Sequence, residues 1–77
     1  MKEILEVIAR NLVDDRNAVS VIETEENGVV TLTLKVAPDD MGKIIGKQGR
    51  IAKSVRSVIK SVALHRNLRV NVEITSN

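Results

Sequence analysis

The sequence predicts an α+β fold: a three-stranded sheet covered on one face by three helices, in the order α-β-β-α-α-β. Three observations predict it. Apolar residues recur at helical spacing near the start and again after residue 50. Two-residue alternation marks Val30–Val36 and Leu68–Ile74. Asn27-Gly28, tolerant of positive φ, sits between the first two extended runs and suits a tight hairpin.

Taken in order, Ile4, Leu5, Ile8, Ala9 and Leu12 form the apolar stripe of an amphipathic helix of about three turns, with Glu3, Glu6 and Arg10 on other faces. Asp14-Asp15-Arg16-Asn17 ends it with turn-prone residues. Val19 and Val21 then alternate with Ser20 and Ile22, so the first strand is apolar on part of both faces. Val30, Leu32, Leu34 and Val36 alternate cleanly with Thr31, Thr33 and Lys35, which predicts a hairpin over about residues 18–36. Pro38 stops that strand, and Asp39 or Asp40 is suited to accept from the amides that open a helix. This short helix is expected to reach about Ile45. A longer one follows, with Ile51, Val55, Val58, Ile59 and Val62 on its packing face and Lys53, Arg56 and Lys60 opposite. His65-Arg66-Asn67 ends it, and Leu68, Val70, Val72 and Ile74 define the last strand. Strands followed by a helical pair place the helices on one face of a small sheet.

The 77 residues make one domain, 1–77, the expectation. A domain of this size removes only about 60% of its unfolded-chain surface from water, which leaves little material for a deep catalytic cleft. No Cys is present, so disulfides, thiolate nucleophiles and Cys-ligated zinc are excluded. The apolar runs fall short of the roughly 18 residues that a bilayer span needs, and Met1-Lys2-Glu3-Ile4 does not read as a secretory signal. A soluble cytoplasmic protein is expected, with no membrane partner.

The net charge of +2 conceals a division. Residues 1–40 carry four basic and nine acidic side chains, net −5; residues 41–77 carry eight basic and one acidic, net +7. No acid lies between Met41 and Val72. Such a half attracts polyanions and binds them in a salt-dependent way. The plain alternative is a solvated basic face that only keeps the chain soluble.

Within that half lies Gly42-Lys43-Ile44-Ile45-Gly46-Lys47-Gln48-Gly49-Arg50-Ile51. Gly46 and Gly49 remove side-chain bulk where one helix gives way to the next, so a ligand can approach the main chain. The amides and dipole of a helix start favour an anion, and Lys43, Lys47, Arg50 and Lys53 add positive charge around them. Gln48 adds a neutral hydrogen-bonding tip. A nucleotide-binding P-loop is excluded, because it requires glycine where Met41 stands, Ser or Thr where Gln48 stands, and a preceding strand.

The run Ile44-Ile45-Gly46-Lys47-Gln48-Gly49-Arg50-Ile51 resembles the signature of the KH domain, whose Gly-x-x-Gly loop joins two helices and clamps the backbone of about four single-stranded nucleotides. The preceding helix and strand resemble the type II arrangement, and the whole chain resembles the small stand-alone bacterial KhpA family. The resemblance implies that Gly46, Lys47, Gln48 and Gly49 form the clamp, with Lys47 and Gln48 touching phosphate or sugar. Ile45 and Ile51 support the helices or floor a groove for bases. The groove's other wall would be the last strand, where Arg69 or Asn71 would touch bases. The resemblance also implies a homodimer, or a pairing with a larger KH-domain protein.

With no Phe, Tyr or Trp, folds that stack bases on aromatic rings are disfavoured. The remaining chemistry-bearing residues have structural readings. His65 interacts with helix-end carbonyls. Asp39-Asp40 are adjacent rather than facing, which suits a helix start and not an acid–base pair. Asp14-Asp15, Glu23, Glu25 and Glu26 are solvated charges. Lys53, Arg56 and Lys60 form either a solvent face or, continuous with Lys43, Lys47 and Arg50, a row that tracks a nucleic-acid backbone. The expectation is binding of single-stranded RNA at low sequence specificity, as an RNA chaperone or post-transcriptional regulator, without catalysis, cofactor or metal. The alternative is a protein-interaction adaptor in which RNA binding is secondary.

Overall fold

A computed structural model describes the backbone of all 77 residues and every side chain except that of Lys47, so the expectation for that side chain lies outside the described residues. Helix α1 (Lys2–Leu12) turns Leu5 and Ala9 into the core. A short 3-10 turn (Arg16–Ala18) leads into β1 (Ser20–Glu26). Strand β2 (Val29–Val36) pairs antiparallel with β1, Glu26 standing opposite Val29, so the connection is only Asn27 and Gly28. Their φ values of +54° and +79° make the left-handed two-residue turn that matches the twist of paired strands.

Helix α2 (Pro38–His65) opens with proline in the first turn, where its missing N–H would have had no intrahelical partner. It carries the chain across to β3 (Arg69–Ser76), which lies parallel to β2 and gives the order β1-β2-β3. A parallel neighbour requires such a crossover. Val30, Leu32 and Leu34 stand beside Val70, Val72 and Ile74 on one face, and the helices cover that face. Leu5, Leu32, Leu34, Val36, Ile44 and Ile59 are almost wholly removed from water, each a gain of roughly 1.5–3 kcal/mol.

Although α2 is helical over 28 residues, it is not a rod. A straight helix of that length would run about 42 Å, against a longest dimension of 34 Å. Gln48 and Gly49 adopt φ of +65° and +70°, which no right-handed helix accommodates. The chain reverses handedness for two residues and bends. The two arms, 38–47 and 50–65, are the second and third helices of the expected order, joined by a tight turn rather than an open loop.

The second arm is rotated from the expected stripe. Ala52, Val55, Ile59 and Ala63 are buried while Val58 is 47% exposed. Small alanines let the helix approach the sheet, and their burial leaves little trace in hydropathy. The helix ends where Asn67 takes φ +56°; Leu68 N–H donates to Ala63 O (2.8 Å) and Asn67 N–H to Leu64 O (3.1 Å), which satisfies the terminal carbonyls. His65 Nδ1–H donates to Ser61 O at 2.9 Å, a helix-end contact as expected.

Candidate functional site

The first arm of α2 is fixed from both ends. Ile44 is buried in the core. Asp40 is buried as well, but its carboxylate does not cap its own helix: the N-cap is Ala37, and no side chain caps it. Asp14 N–H donates to Asp40 Oδ1 (3.0 Å) and Asp15 N–H to Asp40 Oδ2 (3.1 Å), so the acid ties the segment after α1 to the start of α2. The expectation that Asp39 or Asp40 serves the local amides is corrected accordingly. A carboxylate that accepts two backbone N–H groups is favoured in its charged form. The amides of Asp14 and then Asp15 hold the Asp40 carboxyl below its usual range, burial opposes them, and the Lys43 charge adds a smaller lowering.

Lys43 forms an ion pair with Asp14 across the same junction. That contact raises the affinity of its ammonium for the proton above the ordinary lysine range. In the free protein this cation, expected to face a ligand, is engaged by an acid of the acidic half.

The turn that follows is exposed. Ile45 is 52% exposed, Gln48 and Arg50 face solvent, and Gly46 and Gly49 are partly covered. Gly49 needs its lack of a Cβ, since its φ is positive. Gly46 does not: Gln48 is the second left-handed residue, and a non-glycine there costs about 1–2 kcal/mol. Gly46 instead leaves its part of the surface bare, with open space where a Cβ would stand.

Two concavities flank the turn. On the β3 side a groove of about 230 Å³ is lined by Ile45, Gly49, Ala52, Lys53, Arg56 and Ile74. On the α1 side another is lined by Leu12, Gly42, Lys43, Gly46, Arg50 and Ile51. The sequence-derived candidates are thereby divided. Ile45, Gly49 and Lys53 share the β3-side groove, whereas Lys43, Gly46 and Arg50 line the opposite side.

Arg69 joins neither. It lies on the sheet face opposite the buried Val70 and Val72, paired with Val29. Ile74 lies five positions further on, about 16 Å along the strand. The strand meets the groove through Ile74, which sequence reasoning left aside. Arg56, which the sequence leaves open between a solvent-facing row with Lys53 and Lys60 and a backbone-tracking role, donates from Nε–H to Val72 O at 3.3 Å beside the groove.

Chemically the site is a cation-rimmed cleft with an apolar floor and two glycines at its lip. Among the described residues no group of three His, Cys, Asp or Glu side chains is placed to hold a metal ion. Among the described residues no helix is long and apolar enough to cross a membrane.

Comparison with known proteins shows the family of the chain. Residues 2–74 match the family described as KhpA/KhpB, KH domain. The chain is 57% identical over 74 residues to the RNA-binding protein KhpA of Clostridium acetobutylicum, with 96% of this chain and 99% of that protein covered. It is 40% identical to the RNA-binding protein KhpA of Aquifex aeolicus, over 96% of this chain and 94% of the other. Among solved structures, Era bound to nucleotides 1506–1542 of 16S ribosomal RNA and MgGDPNP superposes with a TM-score of 0.65 at 20% identity. Aquifex aeolicus Era bound to GDP.AlF4- gives 0.64, also at 20% identity. In both, 97% of this chain is covered but only 29% of the Era chain, and the likeness concerns the fold.

Proposed function

The chain belongs to the KhpA/KhpB family of KH domains, and from that premise we propose that it is a non-catalytic protein that binds single-stranded RNA at the Gly46–Gly49 turn and the groove beside it. The RNA-binding names of its relatives support the general activity. The single observation that carries the finer reading is the bend at Gln48–Gly49, which sets an exposed, left-handed piece of main chain at the lip of an apolar groove with a cationic rim. Phosphates lie over the turn, where Lys47, Gln48 and Arg50 supply charge and hydrogen bonds, and bases lie against Ile45, Ala52 and Ile74. Lys53 flanks the groove, Gly46 leaves room on the other side, and Lys43 joins if the ligand displaces Asp14. Arg69 is too far along β3 to share a base bound there. The groove contains no aromatic ring, so affinity rests on charge, main-chain contact and apolar burial.

Lys47→Asp combined with Gln48→Asp reverses the charge at the turn. It is expected to abolish retention of RNA on a filter at moderate salt while leaving the melting temperature almost unchanged. Undiminished retention by this variant would place the RNA elsewhere.

A second reading is favoured by a separate observation. Between α1 and the second arm of α2 lies an apolar cavity of about 390 Å³ lined by Ile8, Leu12, Arg50, Ile51, Ser54, Val55 and Val58. Leu12, Val58 and the neighbouring Val7 are 38%, 47% and 57% exposed. We infer that this face joins two copies of the chain, or one copy and a larger KH-domain protein, so that two RNA grooves act together. Light scattering on the pure protein is expected to give twice the chain mass, and Val58→Asp to give the single mass. A wild-type monomer at high concentration contradicts the homodimer.

A further inference from the structure

The groove beside the turn has an uneven hydrogen-bonding character. Among the described residues its polar side chains are Lys53 and Arg56, and both are donors only. The nearby Val72 carbonyl, on the free edge of β3, is already occupied by Arg56 Nε–H at 3.3 Å. That bond does more than satisfy an edge carbonyl. A guanidinium is a rigid plane, so fixing Nε to the strand fixes the direction of the two terminal nitrogens, which keep four N–H donors in that plane.

Such a fork pairs best with two acceptors side by side. Cytosine presents them at N3 and O2, guanine at O6 and N7. Uracil places N3–H between its two carbonyls, and each adenine edge that carries the exocyclic amine sets a donor next to the acceptor. Single-stranded RNA leaves all of these edges open.

We propose that Arg56, held against β3 by the Val72 carbonyl, is the specificity-determining residue of the groove and selects cytosine and guanine over uracil and adenine. The proposal rests on the reading that bases enter this groove, and it replaces the expectation of low sequence specificity with one of composition-dependent binding. Lys53, a single mobile ammonium, contributes charge to every base alike. The selection therefore depends on the shape of the guanidinium, not on its charge.

The test is fluorescence anisotropy on the full chain with labelled decacytidylate, decauridylate, decaadenylate and a decauridylate carrying two central guanines. Cytosine- and guanine-containing strands are expected to bind roughly tenfold more tightly than the other two, near the low end of what a bidentate arginine pair contributes to discrimination. Arg56→Lys keeps the charge and loses the fork, so it should collapse that ratio to about one, lowering affinity for the cytosine- and guanine-containing strands more than for decauridylate. If Arg56 served only as a strap between α2 and β3, the variant would weaken all four strands in proportion. Equal, measurable affinity of the wild-type chain for all four overturns the assignment to Arg56 and leaves RNA binding at the turn intact. Binding of none overturns both. The wild-type ratio is read without any variant, so a folding defect in Arg56→Lys does not hide the outcome.

Discussion

Asn27-Gly28 and Gln48-Gly49 are the same backbone device in two settings. Each is a polar residue followed by glycine, both at positive φ, and in each the glycine's missing Cβ would meet open space. The first joins β1 to β2 and is preceded on β1 by Glu23, Glu25 and Glu26. The second bends α2 among Arg50, Lys53 and Arg56, beside a groove. A reversal of handedness alone therefore makes a corner. It becomes a candidate binding site only where cations gather at it and an apolar cleft opens alongside.

The comparison breaks most sharply under matched substitutions. Gly28→Val and Gly49→Val each force a β-branched residue into left-handed backbone, and each should lower stability in denaturant by at least about 1–2 kcal/mol. Only Gly49→Val should also weaken RNA binding, by roughly tenfold or more, equivalent to losing one charge-assisted hydrogen bond. Equal loss of RNA binding in the two variants would remove the distinction between the turns.

A smaller effect concerns the anchoring of the second turn. Because the folded-state pKa of Asp40 lies below the unfolded value of 3.8, its contribution to stability is complete above pH 3.8 and is lost as pH falls through the lower folded value. Lys43 behaves oppositely: its contribution is complete below 10.5 and is lost as pH rises through its raised folded pKa. Both are in force at neutral pH. Asp40→Asn should lower the melting temperature at pH 7 and flatten the acid limb of the stability curve below about pH 3.8, with amide exchange accelerating first along the 38–47 arm and not at the hairpin. Superimposable pH curves for wild type and variant would show that the Asp40 bonds do not anchor the arm.

What the sequence made legible follows the range of the interactions. The hairpin turn, the alternating strands and the helix end at Asn67 depend on residues within a few positions of one another, and each was readable. So was the glycine turn, although the second left-handed position fell to Gln48 rather than Gly46. The parallel β2–β3 pairing was not readable, because it is made across a 28-residue helix. For the same reason Asp40 looked like a local cap when its partners, Asp14 and Asp15, lie 26 and 25 positions away. Lys43 looked free because Asp14, 29 positions back, was out of sight. Alternation in β3 separated Arg69 from Val70 without telling which side meets the ligand, and Arg56 could not be told from Lys53 and Lys60 until Val72 was seen beside it.

The central claim is that an RNA backbone lies on the left-handed turn of α2 and on no other surface of the chain. Titrating isotopically labelled protein with decauridylate and following the amide resonances tests it most directly. The account predicts shifts at residues 45–56 and 72–74, with Asn27 and Gly28 unmoved at saturation. Shifts confined to α1 and the Val58 face, with Gln48 and Gly49 silent, would contradict it.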